Sequence, residues 1–401
     1  MIRIVIVFCA FLLPLFSLFA QENSKVDLSF TGFVRYDAFF DTRQVESLRE
    51  GNLILYPKNE QKDIDGKDIN DKSNFNMLVI QTRFNTNIKG PNALDAKTFG
   101  YIEAEYFGNL ESDINGFRLR HAYIQFDWDN TSLMLGQFWH PMFIIDVLPT
   151  FNLAVPFIAY SRNPQIRFKH SYGSYNIIFT AFTQRDFRST GPDGLSSTYL
   201  RNSVLPDLDL QIMYKENNNV IGAGIDYKVL TPRLKDLNNR ATNEVISSFV
   251  YNTYFKLSLN PIIFKFNCIY GENVYDLTMI GGYAAKESNP LEYTNYKTLS
   301  IWTDVSFGKE FQGALLLGYL KNFGANDNIS KNYIYARTID MDKLFRIAPA
   351  VIYNSGKTKF VFEVEYDVAT YGIPNYKNKS KIEDTKNISN LRFAFTTVYN
   401  F

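Results

Sequence analysis

Along 28–40 the chain alternates. Leu28, Phe30, Val34, Tyr36, Ala38 and Phe40 share one parity, while Ser29, Thr31, Arg35 and Asp37 share the other. Successive side chains of a strand point to opposite faces, so this segment reads as a strand with one oily and one polar face. The final segment repeats the pattern, with Leu391, Phe393, Phe395, Tyr399 and Phe401 set against Arg392, Ala394, Thr396 and Asn400. Segments of this kind recur at 27–40, 74–88, 97–107, 116–128, 131–138, 164–170, 174–184, 206–216, 219–230, 244–258, 261–272, 296–308, 311–321, 343–354, 358–369 and 389–401, sixteen in all. In the clearest of them, such as 208–214, 262–270 and 360–366, charge is confined to one face.

The connections between these segments are sorted by length. Long ones, such as 41–73, 139–163 and 273–295, alternate with short ones, such as Gly90-Pro91-Asn92, Asn217-Asn218 and Asn260-Pro261. An outer-membrane barrel has short periplasmic turns and long outer loops in this alternation, and a soluble β-sandwich has no reason to sort its connections by side. The pattern predicts an all-β fold, a transmembrane antiparallel β-barrel of about sixteen strands, with both termini on the short-turn side. In lipid every backbone N–H and C=O must be paired, and a closed sheet does this without an edge.

Composition agrees with that picture. The 401 residues are 46% hydrophobic and only 21% charged, yet 16% are aromatic, as expected for Tyr and Phe girdles at the two membrane interfaces. Lys plus Arg at 42 nearly balance Asp plus Glu at 41, which leaves no field for nucleic acid. Residues 1–20 read as a signal peptide, an apolar run from Ile4 to Phe19 behind Arg3 with cleavage after Ala20, and 21–401 as the barrel domain. Beyond the leader no apolar run is long enough for a spanning helix. The terminal Tyr399 and Phe401 resemble the signal that barrel-assembly machinery reads, and the outer face is expected to meet lipid and lipopolysaccharide.

Phe117-Arg118-Leu119-Arg120-His121-Ala122-Tyr123, Leu135-Gly136-Gln137-Phe138-Trp139 and Asn163-Pro164-Gln165-Ile166-Arg167-Phe168 resemble the phosphate-selective porin O/P and DcaP-like families. The resemblance implies a porin-like, homotrimeric channel. It covers about 50 residues, and the chain lacks the heptad-rich segment that follows the signal in the dicarboxylate members. The third long loop, about 139–163, is unusually apolar, so it is expected to fold into the barrel mouth as a constriction, or to pack at a trimer contact, with Trp139, Asp146, Phe151 and Phe157 as its marked residues.

Parity assigns a basic set to the lumen, Arg35, Arg83, Arg167, Lys169, Arg346 and Arg392, and an acidic set, Asp37, Glu103, Glu105, Glu363 and Glu365. Such a wall sets a transverse field that favours hydrated solutes. Because strands sixteen, one and two adjoin on closure, Arg392, Arg35 and Arg83 are expected to form a basic patch, and Arg167 with Lys169 a second. Strict alternation puts Arg118 and Arg120 on the outer face, at a subunit contact or the rim. The three histidines, His121, His140 and His170, have no metal-ligand spacing, and no nucleophile motif is present, so neither a cofactor, a metal nor an enzyme is expected. The oxygen-rich 63–71 lacks the distal Glu of a calcium loop and reads as a solvated acidic loop. The function this predicts is an outer-membrane porin passing small hydrophilic solutes, anionic ones among them. A non-conducting structural or adhesive barrel and a hydrophobic-solute channel stay open as alternatives.

Overall fold

A computed structural model describes residues 26–108, 111–236 and 238–401, and the signal sequence expected at 1–20 lies outside them. Sixteen antiparallel strands close into a barrel. They are β1 (Asp27–Asp41), β2 in two segments (Asn74–Leu78 and Arg83–Lys89), β3 (Lys97–Tyr106), β4 (Phe117–Asp127), β5 (Thr131–Trp139), β6 (Arg162–Tyr172), β7 (Tyr175–Phe182) and β8 (Asp207–Glu216). The second half comprises β9 (Asn219–Leu230), β10 (Ile246–Leu259), β11 (Ile262–Glu272), β12 (Tyr293–Gly308), β13 (Phe311–Ala325), β14 (Met341–Ser355), β15 (Thr358–Asn375) and β16 (Lys381–Asn400).

Closure is made by β1, which pairs with β16 on one side, Val34 opposite Tyr399, and with both segments of β2 on the other. The chain end is stitched into this seam. Phe401 N–H donates to the Gly32 carbonyl at 3.1 Å, Gly32 N–H donates back at 3.2 Å, and the Phe401 ring lies 6.1 Å from that of Phe84. A Cβ on Gly32 would sit 2.3 Å from the Arg83 carbonyl oxygen and 2.6 Å from the Phe401 ring, so the seam requires glycine there.

The outer face is the apolar parity. Phe30, Ile166, Ile212, Ile221, Phe362 and Phe395 are all exposed, whereas the inward parity is polar and buried by the contents of the barrel. Aromatic pairs gather at the short-turn end, among them Tyr175 with Tyr214 and Phe311 with Tyr353, at ring separations of 5.1 and 4.6 Å. Such a belt is what an outer-membrane barrel sets in lipid, and this is a multi-pass outer-membrane β-barrel. Among the described residues no helix is long and apolar enough to span a bilayer.

Three departures from simple alternation are informative. Strand β2, expected as a continuous 74–88, is interrupted at 79–82, where Val79 stays outside and Ile80 is buried inside. The outer loop expected over 370–388 is only the turn 376–380, because β15 and β16 run on past the apolar belt as a ribbon. Backbone pairing holds that ribbon together with polar contacts such as Asn375 with Glu383 and Thr370 with Asn387, so its polar sequence, Lys381 to Asn387, carried no apolar rhythm to reveal it. Similarly, Gly281–Lys286 pairs with Ile329–Arg337 and with β12, extending the sheet above segments expected as loops.

The oily exterior predicts a depth-dependent penalty. Ile212 sits mid-strand on the outer face, and Ile212→Arg is expected to destabilise the barrel by about 2–4 kcal/mol in urea unfolding from lipid vesicles.

Candidate functional site

The interior is filled by two outer segments. The third long loop turns inward after Trp139, whose ring stacks on Phe143 at 3.9 Å, and buries Met142, Val147, Val155, Phe157, Ile158 and Tyr160. An apolar segment of this kind lowers its free energy by leaving water, provided its backbone finds partners. The inner wall supplies them. Gln211 on β8 donates to the Pro141 carbonyl at 2.8 Å, Asn252 on β10 to Met142 at 3.3 Å, Ser300 on β12 to Phe157 at 2.9 Å, and Arg346 on β14 to Val155 at 2.7 Å. Phe157 fits because the wall has Gly318 opposite, where a Cβ would meet the ring at 2.8 Å.

The first loop also folds inward, which the sequence reading did not anticipate. Its hairpin of Val45–Leu48 and Leu53–Pro57 buries Leu53, Ile54, Leu55 and Tyr56, and Tyr371 donates to the Pro57 carbonyl at 2.7 Å. Four consecutive apolar residues within a loop were the available signal. Together the two segments form one apolar core against the wall.

Around this core most wall charges are paired. Arg35 lies against Asp37 at 2.8 Å with its guanidinium over Phe151, and Arg392 against Asp41 at 2.6 Å and over Phe39. Arg83 meets Glu105 at 3.1 Å and Glu103 at 3.6 Å. The three arginines expected to form a basic patch therefore each carry their own carboxylate. Arg346 bridges Glu365 at 3.1 Å and Asp367 at 2.7 Å. Asn152 at the third loop donates to Glu363 at 3.0 Å and to Glu365 at 2.5 Å, tying the loop to the acidic wall. Asp146 is half exposed and meets Lys215 at 2.7 Å. Arg167 lies over Phe138 and donates to the Trp139 carbonyl at 3.0 Å, and Lys169 is exposed inside the barrel.

Arg118 and Arg120, expected outside, are buried inside. The register of β3 and β4 slips between Glu103 and Ala104, so Glu103 faces His121 and Ala104 faces Leu119. Arg120 is the extra residue, and this bulge turns it inward with its neighbour. Arg120 meets Glu103 at 2.5 Å and Glu105 at 2.6 Å, and Arg118 meets Glu105 at 2.8 Å and Asp186 at 3.1 Å. Arg162 joins through Asp186 at 2.5 Å. Lipid explains the outcome, because two arginines facing acyl chains would have no partner. The sequence reading missed Arg162, Asp186, Asp41 and Asp367, since only the fold brings them to their partners.

In the loop after β7, burial pushes the Asp186 carboxyl up, but Arg162 and Arg118 beside it pull further, and it is held below the usual carboxylate range. His140 in the third loop is driven down to about 3 by burial and then by Lys228 and Arg167, so it is a neutral packing residue. In the 63–71 segment two of the four carboxylates, Asp63 and Asp68, are engaged by local backbone amides. Asp63 accepts from the Asp65 and Lys67 amides, and Asp68 from Gln61 and Asn70 and from Arg43. Among the described residues no group of His, Cys, Asp and Glu has the arrangement to hold a metal.

Space remains on the flanks of the filling loops. A small central cavity of about 70 Å³ is bounded by Arg35, Asp37, Arg346, Glu363, Glu365 and Arg392 on one stretch of wall and by Leu53 and Leu153 of the first and third loops. A neighbouring one of about 160 Å³, with Arg83, Arg120 and Glu105, shares Gln81 and Leu153 with it. The third, about 550 Å³, lies between the loop and β6–β8 and reaches Gly173 at a short turn.

The arginine cluster predicts a strong asymmetry between partners. Removing Glu105 leaves buried arginines uncompensated, so Glu105→Ala is expected to cost about 3–5 kcal/mol in chemical unfolding, well beyond a surface ion pair such as Lys386–Glu60.

No family model matches the chain, and no curated protein matches it. Among solved structures, the outer membrane channel DcaP of Acinetobacter baumannii superposes with a TM-score of 0.69 at 15% identity, over 95% of this chain and 99% of that one. OmpT, an outer membrane protein of Vibrio cholerae, gives 0.55 at 11% identity over 94% of this chain and 99% of that chain in its trimer form. OmpF of Salmonella typhi in complex with daunomycin gives 0.51 at 14% identity, over 96% and 99%. At these identities the likeness is one of fold, and the fold is that of the outer-membrane porins.

Proposed function

We propose that this protein is an outer-membrane porin, a channel for passive diffusion of small hydrophilic solutes, anions among them. The observation that carries the reading is the set of charge-walled cavities flanking an inward-folded third loop, inside a barrel whose exterior is oily. Space lined by both signs of charge favours hydrated solutes over greasy ones. The pore-lining role belongs to Arg35, Arg83, Arg167, Lys169, Arg346 and Arg392 with Asp37, Glu103, Glu105, Glu363 and Glu365. The third loop acts as the size filter, with Phe151 and Leu153 at the central cavity and Trp139 and Phe157 anchoring it. The likeness to DcaP, described as a channel, supports this role, and the trimer form of OmpT supports a homotrimer. The seam at Phe401 supports Tyr399 and Phe401 as the signal for barrel assembly.

Single-channel recording in a planar bilayer tests the proposal. Stable ohmic steps are expected, and a barrel that stays silent at every voltage would refute it in favour of a structural role. Leu153→Ala, at the wall shared by two cavities, is expected to raise the conductance step without changing barrel folding, read by heat-modified migration on a gel.

A further inference from the structure

Around the filling loops most wall charges are spent on one another, as Arg346 is on Asp367. A cavity among the outer loops differs. It measures about 690 Å³ and lies between the loop joining β7 to β8 and the loop joining β9 to β10. The first loop contributes Pro192, Asp193 and Tyr199 to its wall, and the second contributes Pro232, Arg233, Leu234 and Lys235. Among the described residues Asp193, Arg233 and Lys235 make no ion pair, although both signs of charge line one space. Asp236, the fourth charge in the lining, is engaged by the amides of Asn238 and Arg240, each at 2.8 Å.

The wall is set by bonds that leave these charges unspent. Tyr199 is buried, and its hydroxyl accepts from the Asp193 amide at 2.9 Å and donates to the Gly194 carbonyl at 3.0 Å, which fixes the backbone at Asp193. Its ring passes over Gly191, where a Cβ would lie 2.5 Å from it. The Thr231 amide donates to the Tyr199 carbonyl at 2.9 Å and so joins the second loop to the first. Arg233 is positioned by donating to the Tyr335 hydroxyl at 2.9 Å and by the Tyr333 ring, 5.1 Å from its guanidinium carbon. Neither contact neutralises it.

Such a space ranks solutes by the charges they carry. A neutral solute leaves all three groups to water, and a single ion satisfies one sign while stripping water from the other without return. A molecule with an ammonium at one end and a carboxylate at the other satisfies both. Pro192, Pro232 and Leu234 line the same space and offer apolar surface to whatever joins the two ends. The volume lies in the range of pockets that enclose ligands larger than one amino acid. We propose that this outer cavity binds short peptides as zwitterions, the ammonium received by Asp193 and the carboxylate by Arg233 and Lys235. The inference goes beyond the porin reading and does not rest on it, because the site is built from outer loops alone.

The probe is trialanine at neutral pH, titrated calorimetrically into the full-length, detergent-solubilised protein. It is compared with N-acetyl-trialanine, which has no ammonium, and with trialanine amide, which has no carboxylate. Each blocked peptide is expected to bind about tenfold more weakly than trialanine, equivalent to ~1.4 kcal/mol. Asp193→Asn is expected to weaken trialanine by a similar factor and to leave N-acetyl-trialanine unchanged, since that peptide brings no ammonium to the missing charge. Arg233→Gln with Lys235→Gln is expected to do the same for trialanine while sparing trialanine amide. Lys67→Gln, on the first outer loop, changes none of these affinities. Asp193 is exposed, and among the described residues its carboxylate has no hydrogen bond or ion pair, so Asp193→Asn serves if the double variant does not fold. No binding of trialanine, equal affinity for the three peptides, or an Asp193→Asn protein that binds trialanine as the parent does would each overturn the site. Bilayer recordings on the same preparations keep the two readings apart. Ohmic steps without trialanine binding remove the site and leave the porin, whereas binding to a silent barrel removes the porin and leaves the site.

Discussion

The constraint on which everything else depends is that lipid offers no hydrogen bonds. A backbone of sixteen strands can enter it only if the last strand returns to the first, and β1 meeting β16 and β2 completes that return. Closure makes an inside and an outside, and the two-residue period of the strand then assigns every side chain to one or the other. The same requirement turns Arg118 and Arg120 inward at a bulge, since a register slip costs less than two guanidinium groups among acyl chains.

Inside the barrel a second problem arises, because a cylinder this wide leaves space that side chains alone do not fill. The first and third outer loops fill much of it with an apolar core, anchored by wall donors to loop carbonyls. Charges near that core lose water and so come in matched sets, Arg346 with Glu365 and Asp367, and Arg118, Arg120 and Arg162 with Glu105 and Asp186. Where the wall faces open space, as at Lys169, pairing is not required and is not found. Loss of water does not enforce pairing everywhere, for among the described residues Asp209 on β8 and Asp226 on β9 are buried on the wall without an ion pair.

Much of this architecture was legible along the chain. The alternation at 28–40 and 389–401 and the sorted connections gave strand number, sidedness and the facing of residues such as Asp37 and Arg392, because the pleat transmits them directly. The bulge in β4 was not read, although the outward apolar residues change parity across it, from Phe117 and Leu119 to Ile124, and Arg120 reverses with them. Nor were the ribbons beyond the membrane, where main-chain pairing needs no apolar face.

By itself, then, the sequence determined which strand residues face lipid and which face the interior, through a local period of two, except where the β4 bulge reverses Arg118 and Arg120. Only the tertiary structure decided which interior charges meet. Arg35 with Asp37 is a near neighbour, but Arg392 with Asp41 and Arg118 with Asp186 are pairs made by closure and by loops crossing the lumen. The net field felt in each cavity is the sum over such distant pairs, and a period along the chain carries no information about a sum across the barrel.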